Sequence, residues 1–371
     1  MGIKVVYIDD VDTELRKYKS KFSTDERTKE RFVIVTHNTP KSPEDYTHIT
    51  EAKPELLMVD YDLSVPDKNG DVIGFSGITL TTELRQKFPE VPITLFTRKS
   101  VFKIQNYAQI SETLSSIDEI IYKQDIFKID SPIIEKLYQL SIGFRLIRTH
   151  KNRGWNELLR LIGAPKSETE VLELADPPIV HRKSWGGVAV AKWVRNVLLR
   201  YPGILYDPVH AATFVGVSEK DFLSEPIQEF FISAKYSEIF MPPEGRWWKS
   251  KLQSKAYSIM NKKERELPLR MAFPRAWERV KKTTIEKAKC VFSKEAPAEW
   301  VCYILRQPVM IKYSLSYKPD TRPTFLDEAR VSYEAVRTSN DFDDKLVDPL
   351  GRELISEIRK LPNLAENDSA D

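Results

Sequence analysis

The chain has 371 residues, of which 41% are hydrophobic and 30% charged, a composition typical of a globular protein with two or three domains. No apolar run is long enough to span a membrane and no secretory signal is recognisable, so we expect no membrane partner. The two cysteines form neither a disulfide framework nor a zinc motif, which indicates a cytoplasmic protein.

The charge is unevenly distributed. The net charge is +3, but residues 1–148 contain 21 basic and 23 acidic residues, a balance of −2. Residues 241–330 contain 20 basic and 10 acidic residues, a balance of +10. A concentrated positive surplus indicates an anionic partner for the later part of the chain.

The first 148 residues alternate between apolar runs and helical patterns. The runs predict strands at 4–8, 31–36, 55–60, 92–97 and 118–123, and the patterns predict helices at 13–22, 77–88 and 133–146. Continuous apolar strands separated by helices are typical of an α/β fold, a doubly wound parallel five-stranded sheet covered on both faces. Ligands of such sheets bind beyond the carboxyl ends of the strands.

Polar side chains stand at those ends. Asp9 and Asp10 follow the first strand, Asp60 ends the third, Thr97 ends the fourth and Lys123 ends the fifth. Carboxylates suit Mg²⁺, which prefers oxygen ligands, and a hydroxyl with an ammonium suits an anion beside that metal. The pattern therefore predicts a magnesium and anion site at one edge of the sheet.

These five residues, each at its strand end, resemble the receiver domain of two-component response regulators, the CheY-like family, over residues 1–148. The resemblance implies that Asp9, Asp10 and Asp60 hold Mg²⁺ together with the backbone carbonyl of Asp62. It also implies that Asp60 accepts a phosphoryl group from a histidine kinase or a phosphotransfer protein. Such a domain promotes its own phosphorylation and dephosphorylation, and a homodimer is a possible form.

The resemblance further implies that Thr97 and Lys123 contact the phosphoryl oxygens. The chain departs from the family where Gln124 follows the lysine in place of proline, and where Ile120 replaces an aromatic switch residue. The segment 61–77 is longer than the usual loop and acidic. It is either a solvated insertion, which we favour, or part of a kinase-docking surface.

Residues 149–371 resemble no family, and their patterns predict a mostly helical effector region with a small antiparallel β element. The spacing of apolar residues predicts one helix over residues 186–203. The segment 207–226 has the outline of a helix-turn-helix, with Gly216 at the turn and Ser218 as a cap. Because its second helix is acidic, two packed helices are favoured over a DNA reader.

The segment 246–265 combines a buried stripe with basic residues. Apolar residues at helical spacing predict the stripe: Trp248, Leu252, Ala256 and Ile259. Four cations lie off the stripe and are candidate nucleic-acid contacts: Arg246, Lys249, Lys251 and Lys255. We expect Trp247 to be exposed beside them. A solvated basic face is an equally good interpretation of the same residues.

The last segments predict a half-buried strand at 311–317, a helix at 324–337, a final helix from 349 and a disordered tail from about residue 363. The chain as a whole is therefore predicted to be a phosphorelay response regulator with a Mg²⁺ cofactor. Its output is predicted to engage nucleic acid. The alternatives are an output that binds a protein partner and an unrecognised enzymatic effector, although no separate catalytic motif is present.

Overall fold

The structure, a computed structural model, describes residues 2–40, 43–63, 77–98, 116–175, 177–178, 186–319 and 326–361. Most of the insertion after Asp60 and the predicted disordered tail lie outside these residues. No helix in the described ranges is long and apolar enough to cross a bilayer. The chain divides into two compact units. The first contains Met1–Ile162, Pro178–Trp193 and Glu238–Pro243, and the second contains Gly163–Pro177, Val194–Ser237 and Glu244–Asp371.

The first unit is built on a parallel sheet. Its strands are β1 (Ile3–Ile8), β2 (Phe32–His37), β3 (Leu56–Asp60), β4 (Ile93–Thr97) and β5 (Glu119–Tyr122). All pairs are parallel, in the order β2-β1-β3-β4-β5. Every residue of β3 and β4 is buried, as expected for central strands covered on both faces. The predicted α/β class and five-stranded parallel sheet are confirmed.

Helices connect these strands and continue beyond them. Those that precede residue 200 are α1 (Asp12–Thr24), α2 (Pro43–Glu51), α3 (Gly77–Lys87), α4 (Ile133–His150), α5 (Gly154–Leu161), α6 (Thr169–Leu174) and α7 (Gly187–Trp193). Helix α2 was not predicted, because its segment, PEDYTHITE, offers only Tyr46 and Ile49 as large apolar residues. Val11 is the N-cap residue of α1 and makes no side-chain hydrogen bond to the helix.

The second unit is mostly helical, as predicted. Its helices are α6, α8 (Pro208–Val215), α9 (Glu219–Phe222), α10 (Glu225–Phe230), α11 (Lys249–Tyr257), α12 (Leu269–Lys281), α13 (Tyr333–Thr338) and α14 (Pro349–Ile358). Its strands form three antiparallel pairs: β6 (Leu205–Tyr206) with β7 (Trp247–Trp248), β8 (Trp300–Val301) with β9 (Pro308–Val309), and β10 (Ser314–Tyr317) with β11 (Ala329–Ser332). Single 3-10 turns occur at Lys166–Glu168, Ile232–Ala234, Glu264–Glu266, Ile311–Tyr313 and Asp344–Leu346.

The turn between α8 and α9 has the predicted chemistry. Gly216 adopts a left-handed conformation with φ of +83°, and the Ser218 hydroxyl accepts a hydrogen bond from the Asp221 N–H. The second helix is only four residues long. This length favours two packed helices, because a recognition helix must reach along a groove of DNA.

Three predictions in the second unit are wrong. Trp247 is buried, with 1% of its surface exposed, because it lies in β7 and its ring meets Phe222 at 5.1 Å between centroids. The helix predicted at 324–337 is instead strand β11 followed by α13, since Val331 pairs with Leu315 across the β10–β11 ladder. The strand predicted at 311–317 begins only at Ser314, after a 3-10 turn.

One predicted helix is divided. The segment 186–203 forms α7, which ends at Trp193, and then a π-helical turn over Val194–Leu198. Its apolar stripe is buried at Val190, Trp193, Val194 and Leu198, as the helical spacing predicted.

Candidate functional site

Three carboxylates converge at the carboxyl edge of the first unit's sheet. Asp9 and Asp10 follow β1 directly, and Asp60 ends the neighbouring strand β3. Each offers an oxygen within 4.8 Å of the other two. Asp9 and Asp60 are buried and Asp10 is partly buried. The parallel register, with Ile8 opposite Val59, brings the ends of the two strands side by side and so assembles the cluster.

Lys123 places its ammonium between two of these carboxylates. Its Nζ lies 2.7 Å from Asp60 Oδ1 and 3.1 Å from Asp9 Oδ2. The Lys123 N–H donates to the Thr97 carbonyl at 2.8 Å, which fixes the lysine at the end of β5. The ammonium also lies 5.7 Å from the centre of the Phe96 ring, a favourable position for a cation.

The electrostatics of the cluster follow from its burial. Burial raises the pKa of Asp60 to about 7, although Lys123 acts to lower it, and the charge of Asp9 raises it further. Burial acts to lower the pKa of Lys123, but Asp60 and Asp9 outweigh that effect and keep this pKa above its ordinary value. One lysine therefore compensates only part of the negative charge that three carboxylates concentrate here.

Tyr7 supports the site and was not singled out from the sequence. Its hydroxyl donates a hydrogen bond to Asp9 Oδ2, and the Val11 N–H donates to Asp9 Oδ1 at 2.9 Å. Burial and the nearby Asp9 carboxylate raise the pKa of Tyr7 well above its ordinary value, so the phenol stays protonated. Tyr7 and Asp9 are two residues apart at a strand end, and this spacing was the signal for a shared face.

The two remaining predicted residues, Thr97 and Asp62, lie at or just beyond the carboxyl ends of their strands. Thr97 is buried at the end of β4, and its hydroxyl donates to the Arg98 carbonyl at 3.4 Å. The side chain of Asp62 is exposed two residues beyond Asp60. Two roles remain predictions: that Thr97 contacts a phosphate, and that the backbone carbonyl of Asp62 binds the metal.

The donor set fits a magnesium ion. Carboxylate oxygens are the ligands that Mg²⁺ prefers, and here three of them come from residues that the fold holds together. A divalent cation would relieve the repulsion that contributes to the raised pKa of Asp60. Asp9, Asp10 and Asp60 are thus the residues that could hold the metal.

A basic groove adjoins the cluster. It has a volume of about 610 Å³ and is lined by Glu14, Lys17, Tyr18, Lys21, Arg98, Lys123, Gln124 and Phe127. Four of these side chains are cationic and one is anionic. Lys21 lies 5.1 Å from the centre of the Phe127 ring. The groove therefore offers an anionic group a positively charged approach to Lys123.

The four candidate nucleic-acid residues of the second unit do not form an exposed row, because all four are partly buried. Arg246 donates to the Leu199 and Gly245 carbonyls at 3.0 and 2.9 Å. Lys249 pairs with Asp327 at 2.9 Å, and Lys255 lies 4.9 Å from the centre of the Phe230 ring. Except for Gly245, these partners lie outside the segment 246–265, so its pattern alone could not reveal these contacts.

Exposed cations lie further along the chain, after α11 and on or just after α12. They are Lys262, Lys263, Arg265, Arg275, Arg279, Lys281 and Lys282. The basic surplus of residues 241–330 thus reaches solvent mainly around α12.

No family model matches the sequence, and no curated protein matches it. A response regulator receiver domain protein from Clostridium thermocellum is 16% identical, with a TM-score of 0.28, and the match covers 39% of this chain and 98% of that one. The response regulator TrrA from Thermotoga maritima, solved in complex with Mg²⁺-BeF, is 18% identical with a TM-score of 0.26 over 36% of this chain and 98% of its own.

The BeF3-activated receiver domain of RstA from Klebsiella pneumoniae is also 18% identical, with a TM-score of 0.26 over 36% of this chain and 94% of its own. All three are described as response regulators, two of them as receiver domains, and the matches cover the N-terminal part of the chain.

Proposed function

We propose that this chain is a cytoplasmic response regulator whose first unit is switched by phosphorylation of Asp60. One observation carries the proposal. Asp60 is buried at the end of β3, 2.7 Å from the Lys123 ammonium, and Asp9 and Asp10 lie close enough to share a cation with it.

Asp60 is the nucleophile toward a phosphohistidine of a kinase or a phosphotransfer protein. A carboxylate oxygen attacks phosphorus, the P–N bond breaks, and its electron pair returns to the imidazole of the donor. Bound Mg²⁺ supplies positive charge that offsets the charge of the phosphoryl group. Lys123 exchanges its bond to Asp60 for a bond to a phosphoryl oxygen, and the Thr97 hydroxyl donates to another.

The basic groove beside Lys123 supports the same proposal. Its surplus of cations attracts a phosphorylated donor, and its position next to the carboxylate cluster brings the phosphorus toward Asp60. The new phosphoryl group adds about −1.5 to −2 charge. That charge draws Thr97 and the end of β4 toward Asp60, and a homodimer is one form in which such a change can be transmitted.

The test is chemical labelling of the full chain with acetyl phosphate and Mg²⁺, followed by mass-spectrometric mapping. We expect one phosphoryl group on Asp60 and none in Asp60→Asn. Asp62→Asn is the matched control and should be labelled like wild type, because only the backbone carbonyl of Asp62 is assigned a role. A label that persists in Asp60→Asn at wild-type stoichiometry would overturn the assignment.

For the output of the second unit we propose nucleic-acid binding. The exposed cations after α11 and around α12 and the +10 balance of residues 241–330 support it. If the second unit instead binds a protein partner with an affinity that does not depend on salt, a protein-binding output replaces the nucleic-acid proposal. Nucleic-acid binding that weakens steeply with salt is the expected outcome.

A further inference from the structure

The second unit contains a cavity that the proposed phosphorylation does not use. Its volume is about 190 Å³. Helix α8, the first residue of α11, strand β8 and the residues that lead into β11 line it. Ligand sites for drug-sized molecules measure roughly 300–1,000 Å³, so this cavity suits a ligand with a single ring system.

Aromatic rings form much of the wall: Tyr206, His210, Phe214, Trp300 and Tyr303. The Tyr206 and His210 rings are stacked, with centroids 6.0 Å apart and planes 29° apart. The Tyr206 ring meets the Phe214 ring edge-on at 5.3 Å. Aromatic side chains in this arrangement are a platform on which a planar ring can stack.

The two carboxylates next to these rings are engaged by basic groups of the unit. Asp207 accepts from His210 Nδ1 at 2.8 Å and from Arg306. Asp327 accepts from the Tyr206 hydroxyl at 2.5 Å and from Lys249 at 2.9 Å. These bonds hold the cations of both pairs in fixed positions at the cavity.

The other two acids that line the cavity are engaged in the same way. Glu299 pairs with Arg270 at 2.9 Å, and Glu328 pairs with Arg330 at 3.1 Å. Four carboxylates and five basic groups, His210 among them, therefore surround the cavity, and their charges largely offset one another. A neutral ligand fits this balance better than an ionised one.

Two cations that line the cavity have hydrogen-bond donors left. An ammonium has three N–H groups and a guanidinium has five. Among the described residues, the Lys249 ammonium bonds only to Asp327 and the Arg306 guanidinium only to Asp207. Lys249 also lies 5.3 Å from the centre of the Tyr206 ring. The edge of a planar ligand stacked on the aromatic wall would face the N–H groups of Lys249 and Arg306.

We propose that this cavity binds a single nucleobase, and among the bases guanine. Guanine is a neutral planar ring whose O6 and N7 are adjacent acceptors, the pair that Lys and Arg side chains contact. The base can come from a free nucleotide or from a single strand, since unstacked bases are recognised by aromatic and cationic side chains. Only the single-strand source rests on the nucleic-acid output proposed above.

Calorimetric titration of the full chain with GMP, CMP and ribose 5-phosphate tests the proposal. We expect GMP to bind at least tenfold more tightly than CMP and ribose 5-phosphate to bind not at all. A single-stranded tetranucleotide with one guanine, compared with its all-cytosine counterpart, separates the two sources. Tighter binding of the guanine strand than of GMP indicates a strand, and equal affinity indicates a free nucleotide.

Lys249→Met should weaken GMP binding at least tenfold, whereas Gln253→Met, at an exposed position on the same helix and outside the cavity lining, should leave it unchanged. Melting temperatures verify that both variants are folded, and Arg306→Gln replaces Lys249→Met if that variant unfolds. Absence of binding of both GMP and the guanine strand to wild type overturns the proposal. Equal binding of GMP and ribose 5-phosphate also overturns it. Neither result bears on labelling of Asp60.

Discussion

Gly77 is a single residue on which the geometry of the strand that carries Asp60 depends. It opens α3, and a Cβ added there would lie 1.9 Å from the Asp60 carbonyl oxygen. We expect Gly77→Ala to destabilise the chain by about 1–3 kcal/mol, as overpacking does, and to slow the labelling of Asp60 because the strand end must shift. Thermal unfolding and the labelling assay measure both effects.

Gly187→Ala is the matched control for that substitution. Gly187 also opens a helix, but its added Cβ would meet nothing closer than 3.7 Å. Alanine should therefore be neutral there or stabilising by about 0.5–1 kcal/mol, since it forms helix more readily than glycine. Equal melting temperatures for Gly77→Ala and wild type would contradict the close contact.

Asp207 makes the stability of the second unit dependent on pH. Burial acts to raise its pKa, but His210 and Arg306 outweigh burial and hold the pKa below the ordinary value of 3.8. A carboxyl with a depressed pKa contributes stability above its unfolded pKa and loses that contribution as pH falls. We expect Asp207→Asn to cost roughly 1.5–3 kcal/mol at neutral pH, the range for hydrogen bonds to charged groups.

The difference between wild type and Asp207→Asn should shrink as pH falls below about 4, where the unfolded carboxyl takes up its proton. Denaturant unfolding followed by tryptophan fluorescence at neutral and acidic pH measures this difference. Asp341→Asn, at an exposed aspartate, should change stability little at either pH. A penalty for Asp207→Asn that is constant with pH would show that the ion pairs are not its cause.

At the scale of the element, the segment from α11 to α12 contains both partly buried and exposed cations. Lys262 and Lys263 are exposed, whereas Lys251 and Lys255 are partly buried. If nucleic acid is the target, replacing Lys262 and Lys263 together by Gln should flatten the log–log salt dependence of binding by about two units. Filter binding across a salt series measures this slope.

The matched double variant, Lys251→Gln with Lys255→Gln, should flatten the slope less because the Lys255 ammonium rests on the Phe230 ring. Circular dichroism verifies that both variants are folded. Should wild type fail to bind DNA or RNA even at low salt, whether phosphorylated or not, the exposed cations are a solvated surface. An output that binds a protein partner then becomes the better proposal.

At the scale of the whole molecule, we expect the carboxylate cluster to link metal binding to folding. A ligand that binds only the folded state stabilises it by about 2.7 kcal/mol at a concentration one hundred times its Kd. We therefore expect Mg²⁺ to raise the melting temperature of the full chain. Asp10→Asn should lose most of that increase, and Asp62→Asn should keep it. A Mg²⁺ response of Asp10→Asn equal to that of wild type would exclude Asp10 as a ligand.

The sequence alone determined the strands of the first unit's sheet and the polar residues at their carboxyl ends, but it revealed neither α2 nor the hydrogen bond from Tyr7 to Asp9. Apolar runs mark the strands, and Asp60, Thr97 and Lys123 close three of them, because the carboxyl ends of parallel strands meet at one edge of a sheet. It also determined the left-handed turn at Gly216, since glycine adopts that conformation without steric cost. These features depend on local spacing, which the sequence displays directly.

Only the tertiary structure decided which side chains meet across long stretches of chain. Lys123 bonds to Asp9 from 114 residues away, and Lys249 turns toward Asp327, 78 residues further on. Trp247 is buried and β11 replaces a predicted helix because distant strands supply their partners. Periodicity gives the direction of a side chain relative to its own element, whereas its partner depends on how the elements pack.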